Sequence, residues 1–336
     1  MLSRWFAVLS VAVVAASAAT RPHYGGALRV EVRESIETAD PPQSGAGMAD
    51  LASAFVITRW EGGRLAVYSA NNNASGGRPF LDSVEIQMAR PLREQAIDLE
   101  LGKADIVELG LDELRRTGAG RRTWTSAPIR LVALVFGPRV TDQRVREALA
   151  LAVDRAAMHN VLLQRQGEIS GALLPQWISG YAFLFPAASD TAKARSLTSG
   201  LPAQARALAL GFEDAAWRPV AERIALNARD ASLAVSVSAQ NANSDVRLVE
   251  GRIASAEPAR ALSGVAAALG LPEPPRADSA DALLAAERTL LDGFHVIPLF
   301  HLPVIYGVSQ RVKGGPGITR LGEWRFEDLW VEGKRP

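Results

Sequence analysis

Apolar and polar residues alternate in short runs along the first quarter of the chain. Residues 25–35 have an apolar side chain at every second position after a glycine pair. Residues 54–70 contain two such runs, which are separated by Gly62 and Gly63, and residues 80–88 contain another. Period-two alternation predicts β-strands, and glycines between two strands predict a turn. We therefore expect single strands near residues 28 and 84 and a hairpin over residues 54–70.

From residue 90 onward the pattern changes to strands separated by helices. Residues 91–102 begin with proline and end with glycine, which is typical of a helix. Residues 104–109 form a short apolar run. Residues 129–136 form a longer one, of the kind found in strands that are buried on both faces. This part of the chain therefore predicts β-α-β units.

The helix predicted over residues 141–158 has the clearest apolar stripe. Thr141 is the expected N-cap, and Asp142 suits the positive end of the helix dipole. The positions expected to face the core are Val145, Leu149, Ala152, Val153 and Ala156.

Strands and helices continue to alternate through the C-terminal half. We predict helices over 190–197, 215–231, 257–271 and 280–294, and strands over 207–212, 233–239 and 296–309. The whole pattern indicates an α/β protein with mixed sheets.

The N-terminus has the features of a secretory signal. A short cationic start is followed by an apolar run over residues 5–15 and by Ala16-Ser17-Ala18, a small-x-small cleavage pattern. The alternative is a membrane anchor, but the run is shorter than the roughly 20 residues that a spanning helix needs. We expect residues 1–18 to be cleaved and the protein to be exported to the periplasm or the cell exterior.

Composition excludes cysteine-based sites and gives no indication of a nucleic-acid partner. None of the 336 residues is cysteine, so disulfides, thiolate zinc sites and a lipid-bearing cysteine are excluded. The 37 basic and 36 acidic residues give a net charge of +1, which does not suggest a nucleic-acid partner.

Few residues suggest catalysis or metal binding. His295 and His301 are separated by six positions with Pro298 between them, so they cannot share a helical face as zinc-binding HExxH histidines do. We expect them to form hydrogen bonds with the backbone. The chain has no G-x-S-x-G, P-loop or complete G-x-G-x-x-G motif. These observations predict a non-enzymatic protein with no metal and no cofactor.

An aromatic loop over residues 173–186 is the most unusual local feature. It contains Trp177, Tyr181 and Phe183 among prolines and glycines. Such side chains are costly to expose, so the loop either covers the core as a lid or lines a ligand cleft.

Several short motifs follow one another along the chain in a characteristic order. They lie in residues 25–30, Asp40-Pro41, 77–84, 99–106, 142–158, 173–180 and 297–314. In these motifs and their order the chain resembles the extracellular solute-binding proteins of family 5, the peptide- and nickel-type receptors of ABC importers.

The resemblance implies a two-lobed fold of the periplasmic-binding-protein type (type II). Lobe 1 would comprise residues 25–130 and 296–336, and lobe 2 would comprise residues 131–295. It also implies a monomer that captures a peptide or similar small solute between the lobes and delivers it to an inner-membrane ABC permease.

The chain departs from the family in two places. Only residues 43–51 stand where family members have a small extra domain, so that domain is largely absent. The segment that usually holds a tryptophan and an Asp-Pro pair has no tryptophan, and Glu257-Pro258 replaces the pair.

These departures leave two functions open. In the first, the protein binds solute through Trp177, Tyr181 and Phe183 on one side of the cleft, with polar contacts from Glu250, Arg252 and Glu257. In the second, it is a degenerate scaffold that serves as a structural or protein-interaction module without transport.

Overall fold

The computed structural model describes residues 21–35, 54–110, 113–114, 122–181, 183–239 and 244–332. The predicted signal segment 1–18 and the shortened segment 43–51 lie outside the described residues. Within the described part, no helix has the length and apolar character needed to cross a membrane.

Eleven strands of the described part form one mixed sheet. They are β1 (Ala27–Glu31), β2 (Phe55–Glu61), β3 (Leu65–Ala70), β4 (Ser83–Gln87), β5 (Ile106–Glu108), β6 (Thr123–Phe136), β7 (Glu168–Ile169), β8 (Ala207–Phe212), β9 (Ala234–Ser238), β10 (Val246–Arg252) and β11 (Val296–Val308). Their order is β2-β3-β4-β1-β5-β11-β6-β10-β8-β9, and β7 pairs with β11. Two short strands, β12 (Val312–Lys313) and β13 (Trp330–Val331), form a separate pair.

Eight α-helices of the described part connect and cover these strands. They are α1 (Leu92–Glu100), α2 (Gln143–Ala152), α3 (Arg155–Val161), α4 (Gln176–Ser179), α5 (Thr191–Thr198), α6 (Arg218–Asp230), α7 (Pro258–Leu269) and α8 (Ala280–Leu291). Short 3-10 helices occupy Ala203–Arg206, Ala215–Trp217 and Asp292–Phe294.

The strand pairing follows the predicted pattern. β2 and β3 form the expected antiparallel hairpin, whereas β1 pairs in parallel with both β4 and β5. On the other side of the sheet, β8 lies parallel between β9 and β10. The α/β class with mixed pairing is therefore confirmed.

β6 and β11 are the longest strands and run antiparallel through the middle of the sheet. Pro128 of β6 lies opposite Pro303 of β11, and the register shifts on both sides of Pro303. Proline has no backbone N–H to donate, so the hydrogen-bond ladder is interrupted at this point. The two prolines therefore mark a line at which the pairing of β6 with β11 is interrupted.

The buried side chains form two large cores that meet at this line. The first core contains buried residues from positions 28–124 and 306–331. The second core contains buried residues from positions 129–302. A smaller apolar cluster includes Ala104, Val107 and Ile305 beside β5.

The helix predicted over residues 141–158 is in fact two helices. Asp154 interrupts it because its side chain accepts a hydrogen bond from the Ala157 N–H and caps α3. The break changes the helical phase, so Ala156 is exposed although it was predicted to face the core. The predicted cap is also wrong: Asp142, not Thr141, caps α2 by accepting from the Arg144 N–H at 2.9 Å.

One strand begins earlier than the sequence predicts, and another strand was not predicted. β6 begins at Thr123 and not at residue 129, because the chain stays extended through Pro128. β10 was not predicted as a strand, since Arg247, Glu250 and Arg252 interrupt its apolar pattern. Two of these charged residues line the cavity described below.

Candidate functional site: a cleft between the two cores

A cavity of about 700 Å³ lies between the two cores. Its walls include Glu108 and Tyr306 from the side of the first core, and Asp214 and Trp217 from the side of the second core. Pro303 and its neighbours in β11 contribute to the lining where the two cores meet. We refer to this cavity as the cleft.

Strand direction explains why charged residues collect in the cleft. Arg33 comes just after β1 and Glu108 is the last residue of β5, and these strands are parallel neighbours. In the other half, Asp214 comes just after β8, which lies parallel to β10. Ligands of open α/β sheets bind outside the carboxyl ends of the strands, where such residues meet.

Arg130 and Glu250 form a bidentate pair in the cleft. They lie on the adjacent strands β6 and β10, and Nε and Nη2 of Arg130 each donate to a different Glu250 oxygen at 2.6 Å. Burial opposes the charge of Arg130, but the Glu250 carboxylate outweighs it and raises the pKa of the guanidinium. The arginine therefore stays charged, and its Nε and Nη2 donors are both bound to the glutamate.

A second ion pair crosses the cleft. Nη1 of Arg33, which follows β1, donates to the Asp214 carboxylate, which follows β8. Burial tends to raise the pKa of Asp214, but the hydrogen bond from Arg33 prevails and lowers it. This contact ties the two sides of the cleft together.

The Arg33–Asp214 pair is expected to contribute little to global stability because both side chains are partly exposed to solvent. Arg33→Met should lower the free energy of unfolding by less than about 1 kcal/mol. It should nevertheless widen the cleft, which small-angle X-ray scattering would detect as a larger radius of gyration.

Arg59→Met is the matched control, because Arg59 pairs with Glu61 inside the β2–β3 hairpin and not across the cleft. It should leave the radius of gyration unchanged. Identical scattering curves for Arg33→Met and wild type would contradict a tying role.

The sequence of the chain matches the family described as "Bacterial extracellular solute-binding proteins, family 5 Middle" over residues 15–258. The chain belongs to this family. None of the curated protein sequences matches it. The family and its fold are those of substrate-binding proteins, so the prediction of a non-enzymatic protein is confirmed.

Solved structures of similar fold include three binding proteins. The ABC transporter substrate-binding protein CtaP from Listeria monocytogenes has a TM-score of 0.68 at 14% identity, with 83% of this chain and 66% of that chain covered. The dipeptide-binding protein from Pseudoalteromonas sp. SM9913, in complex with Met-Leu, has a TM-score of 0.68 at 12% identity, with 83% and 64% covered. NikA from Staphylococcus aureus, in complex with Ni(L-His)2, has a TM-score of 0.65 at 12% identity, with 83% and 68% covered.

These similarities confirm the two-lobed fold and the shortened length. This chain covers 66% of the CtaP chain, so it spans about two thirds of the length of that protein. At 12–14% identity the similarity concerns the fold alone.

Two of the six predicted contact residues lie in the cleft. Glu250 pairs with Arg130, and Nη2 of Arg252 donates to the Leu321 carbonyl at 3.2 Å. Glu257 lies elsewhere: it is half exposed and caps α7 by accepting from the N–H groups of Ala259 and Arg260.

The aromatic loop is not part of the cleft lining. Trp177 packs against the second core, donates from Nε1 to the Pro128 carbonyl at 3.3 Å and lies under the Arg320 guanidinium. Tyr181 donates to Glu287 at 2.6 Å, whereas Phe183 is 63% exposed. None of the described loop residues lines the cleft with Glu250 and Arg252, and the contacts of Trp177 and Tyr181 fit a lid on the second core.

Six charged residues of the described cleft lining were not predicted from the sequence: Arg33, Glu34, Glu108, Glu113, Arg130 and Asp214. Four of them could have been found from their positions in the sequence. Arg33, Glu108 and Asp214 stand at or just after the ends of predicted strands, where an α/β sheet places its ligand contacts. Arg130 is the charged residue within the apolar run of residues 129–136.

Within the described part, no group of three or more histidine, aspartate or glutamate residues could hold a metal ion. His301 is buried and bonds through Nε2 to the Leu173 carbonyl at 3.0 Å, in line with the expected backbone contact. Burial lowers the pKa of His301 to about 4. This histidine is therefore neutral at physiological pH and fixes the start of the aromatic loop.

Proposed function

We propose that this protein is an exported receptor that captures a peptide or similar small solute in the cleft. The observation that carries the proposal is a cavity with charges of both signs between two separate hydrophobic cores. The lobes would follow these cores, divided near Pro128 and Pro303, close to the predicted boundaries at residues 130/131 and 295/296.

The size and chemistry of the cleft suit a small zwitterion. Its volume of about 700 Å³ lies within the roughly 300–1,000 Å³ typical of small-molecule sites. A peptide carries an ammonium group and a carboxylate, and the cleft presents both carboxylates and guanidinium groups. The similar folds that hold Met-Leu and Ni(L-His)2 also accommodate amino-acid-based ligands.

The interruption in the sheet is a place where the two lobes could bend to open and close the cleft. The ladder between β6 and β11 is interrupted at the Pro128–Pro303 pair, where one core gives way to the other. Bending at a few such positions is how hinged binding proteins close over a ligand. We infer that solute binding draws the two lobes together about this line.

Export and delivery complete the proposal. The family consists of extracellular solute-binding proteins, and residues 1–18 carry the sequence features of a cleavable signal. We propose a monomer in the periplasm or outside the cell that presents its solute to an inner-membrane ABC permease.

A thermal-shift screen of the mature protein tests the proposal. The panel comprises short peptides, sugars, heme and divalent metal ions. A solute at a hundred times its dissociation constant stabilises the folded state by about 2.7 kcal/mol, so a true ligand should raise the unfolding midpoint by several degrees. No shift across the panel would contradict solute capture and would favour the alternative, a scaffold that acts in protein interactions without transport.

A further inference from the structure

The described lining of the cleft carries more carboxylates than guanidinium groups. It contains three arginines, Arg33, Arg130 and Arg252, and five carboxylates. No lysine is present in this lining. If every group is ionised, these residues carry a net charge of −2. A field of one sign in a low-dielectric cleft attracts solutes of the opposite sign.

Two of the three arginines are already bound to carboxylates of the protein. Arg130 is held in a bidentate pair by Glu250, and Arg33 is paired with Asp214. A solute carboxylate would have to displace one of these partners to gain a similar contact. The remaining carboxylates of the described lining are Glu34, Glu108 and Glu113.

Glu108 differs from the paired carboxylates because it forms no ion pair with a described side chain. Its Oε2 accepts the backbone N–H of Arg33 at 2.6 Å. Burial raises the pKa of Glu108, and the backbone hydrogen bond from Arg33 and the nearby charge of Arg130 only partly oppose this effect. A desolvated carboxylate without a paired cation is destabilised, and an ammonium group would relieve that cost.

The position of Glu108 is also fixed in advance. Its backbone N–H donates to Oε1 of Gln95 at 2.8 Å, and Nε2 of the fully buried Gln95 donates to the Arg90 carbonyl at 2.8 Å. On the other side, Glu108 pairs in register with Tyr306 of β11. Since these contacts fix its backbone and the Arg33 N–H binds its Oε2, the Glu108 carboxylate loses little entropy when it binds a ligand.

From these observations we propose that the cleft selects solutes with an excess of positive charge, and that Glu108 receives the amino group of the solute. Basic peptides and polyamines are the matching chemical classes. The proposal deepens the proposed function and rests on it, since both place the solute in the same cleft.

Isothermal titration calorimetry with four probes tests the proposal. Three are the tripeptides Ala-Lys-Ala, Ala-Ala-Ala and Ala-Glu-Ala, which differ in one charge, and the fourth is spermidine, which has amino groups and no carboxylate. Wild type should bind Ala-Lys-Ala roughly tenfold more tightly than Ala-Ala-Ala, and Ala-Glu-Ala most weakly. A tenfold difference corresponds to about 1.4 kcal/mol.

Glu108→Gln removes the charge but keeps an oxygen that can accept the Arg33 N–H. This variant should bind Ala-Lys-Ala and spermidine about tenfold more weakly than wild type, with an unfolding midpoint that is no lower than that of wild type. Glu273→Gln is the matched control, because Glu273 is exposed and lies outside the cleft lining. It should bind all four probes as wild type does.

The outcomes separate this inference from the proposed function. Binding of all three tripeptides with equal affinity to wild type and to Glu108→Gln would overturn the charge selection while leaving peptide capture intact. Binding of spermidine without any tripeptide would support the inference and refute peptide capture. Absence of binding for all four probes would overturn both.

Discussion

Trp324→Ala is expected to lower the free energy of unfolding by about 3–5 kcal/mol. Trp324 is fully buried in the first core. Its ring is stacked with Phe326 at a centroid distance of 5.2 Å and meets the edge of Tyr306 at 6.3 Å. Removing the indole would leave a large cavity where the C-terminal segment packs against the strands of the first core, and such cavities collapse only partly.

Urea denaturation followed by circular dichroism measures this loss. Trp60→Ala is the matched control, since Trp60 lies on β2 and is only partly buried against the same core. Its loss should be clearly smaller. A loss below about 1 kcal/mol for Trp324→Ala would show that this segment does not stabilise the first core.

Glu287→Ala is expected to cost about 3–5 kcal/mol for a different reason. The Glu287 carboxylate is fully buried and accepts hydrogen bonds from the backbone N–H groups of Leu173 and Leu174 and from the Tyr181 hydroxyl. Alanine would leave these three donors without their partner, and a buried donor left unsatisfied costs about 1–3 kcal/mol. The aromatic loop would lose its main polar anchor to α8.

Glu287→Gln separates the hydrogen bonds from the charge. Glutamine keeps an oxygen for the two N–H groups, so its cost should be much smaller than that of alanine. Equal losses for the two variants would mean that the hydrogen bonds do not hold the loop.

A comparison of wild type with Glu287→Gln also tests how the stability of the protein depends on pH. Burial raises the pKa of Glu287 above its ordinary value of 4.5, so the folded state holds the proton more tightly than the unfolded state. The contribution of this group to stability is therefore full below pH 4.5 and is lost as pH rises from there to the folded-state pKa. Wild type should lose stability relative to Glu287→Gln over that interval, and parallel pH profiles would contradict the assignment.

The fold could be predicted largely from periodicity. Alternation located β1 and the β2–β3 hairpin, and the apolar run of residues 129–136 located the buried half of β6. The incorrect predictions have local causes. The first half of β6 was not predicted because it precedes Pro128, and β10 was not predicted because charged residues interrupt its apolar pattern. The helix over residues 141–158 was predicted as one because its apolar stripe continues past Asp154, where the helix breaks.

The site was harder to predict than the fold because it depends on which strand ends meet. Arg33, Glu108 and Asp214 are far apart in the chain, and only the sheet order brings them to one cleft. The composition of the aromatic loop left open a role in ligand binding. In the structure, Trp177 and Tyr181 pack against the second core and form hydrogen bonds there.

The proposed function requires solute to bind in the cleft between the two cores. Ala216 lines the cleft but is exposed, so Ala216→Trp would place an indole in the cavity without enlarging a buried side chain. Isothermal titration calorimetry can compare wild type with Ala216→Trp, using the solute that gives the largest thermal shift. We expect saturable one-to-one binding by wild type and at least tenfold weaker binding by the variant, with equal unfolding midpoints before solute is added. Equal affinity in the two proteins would place the solute outside the cleft and contradict the proposed function.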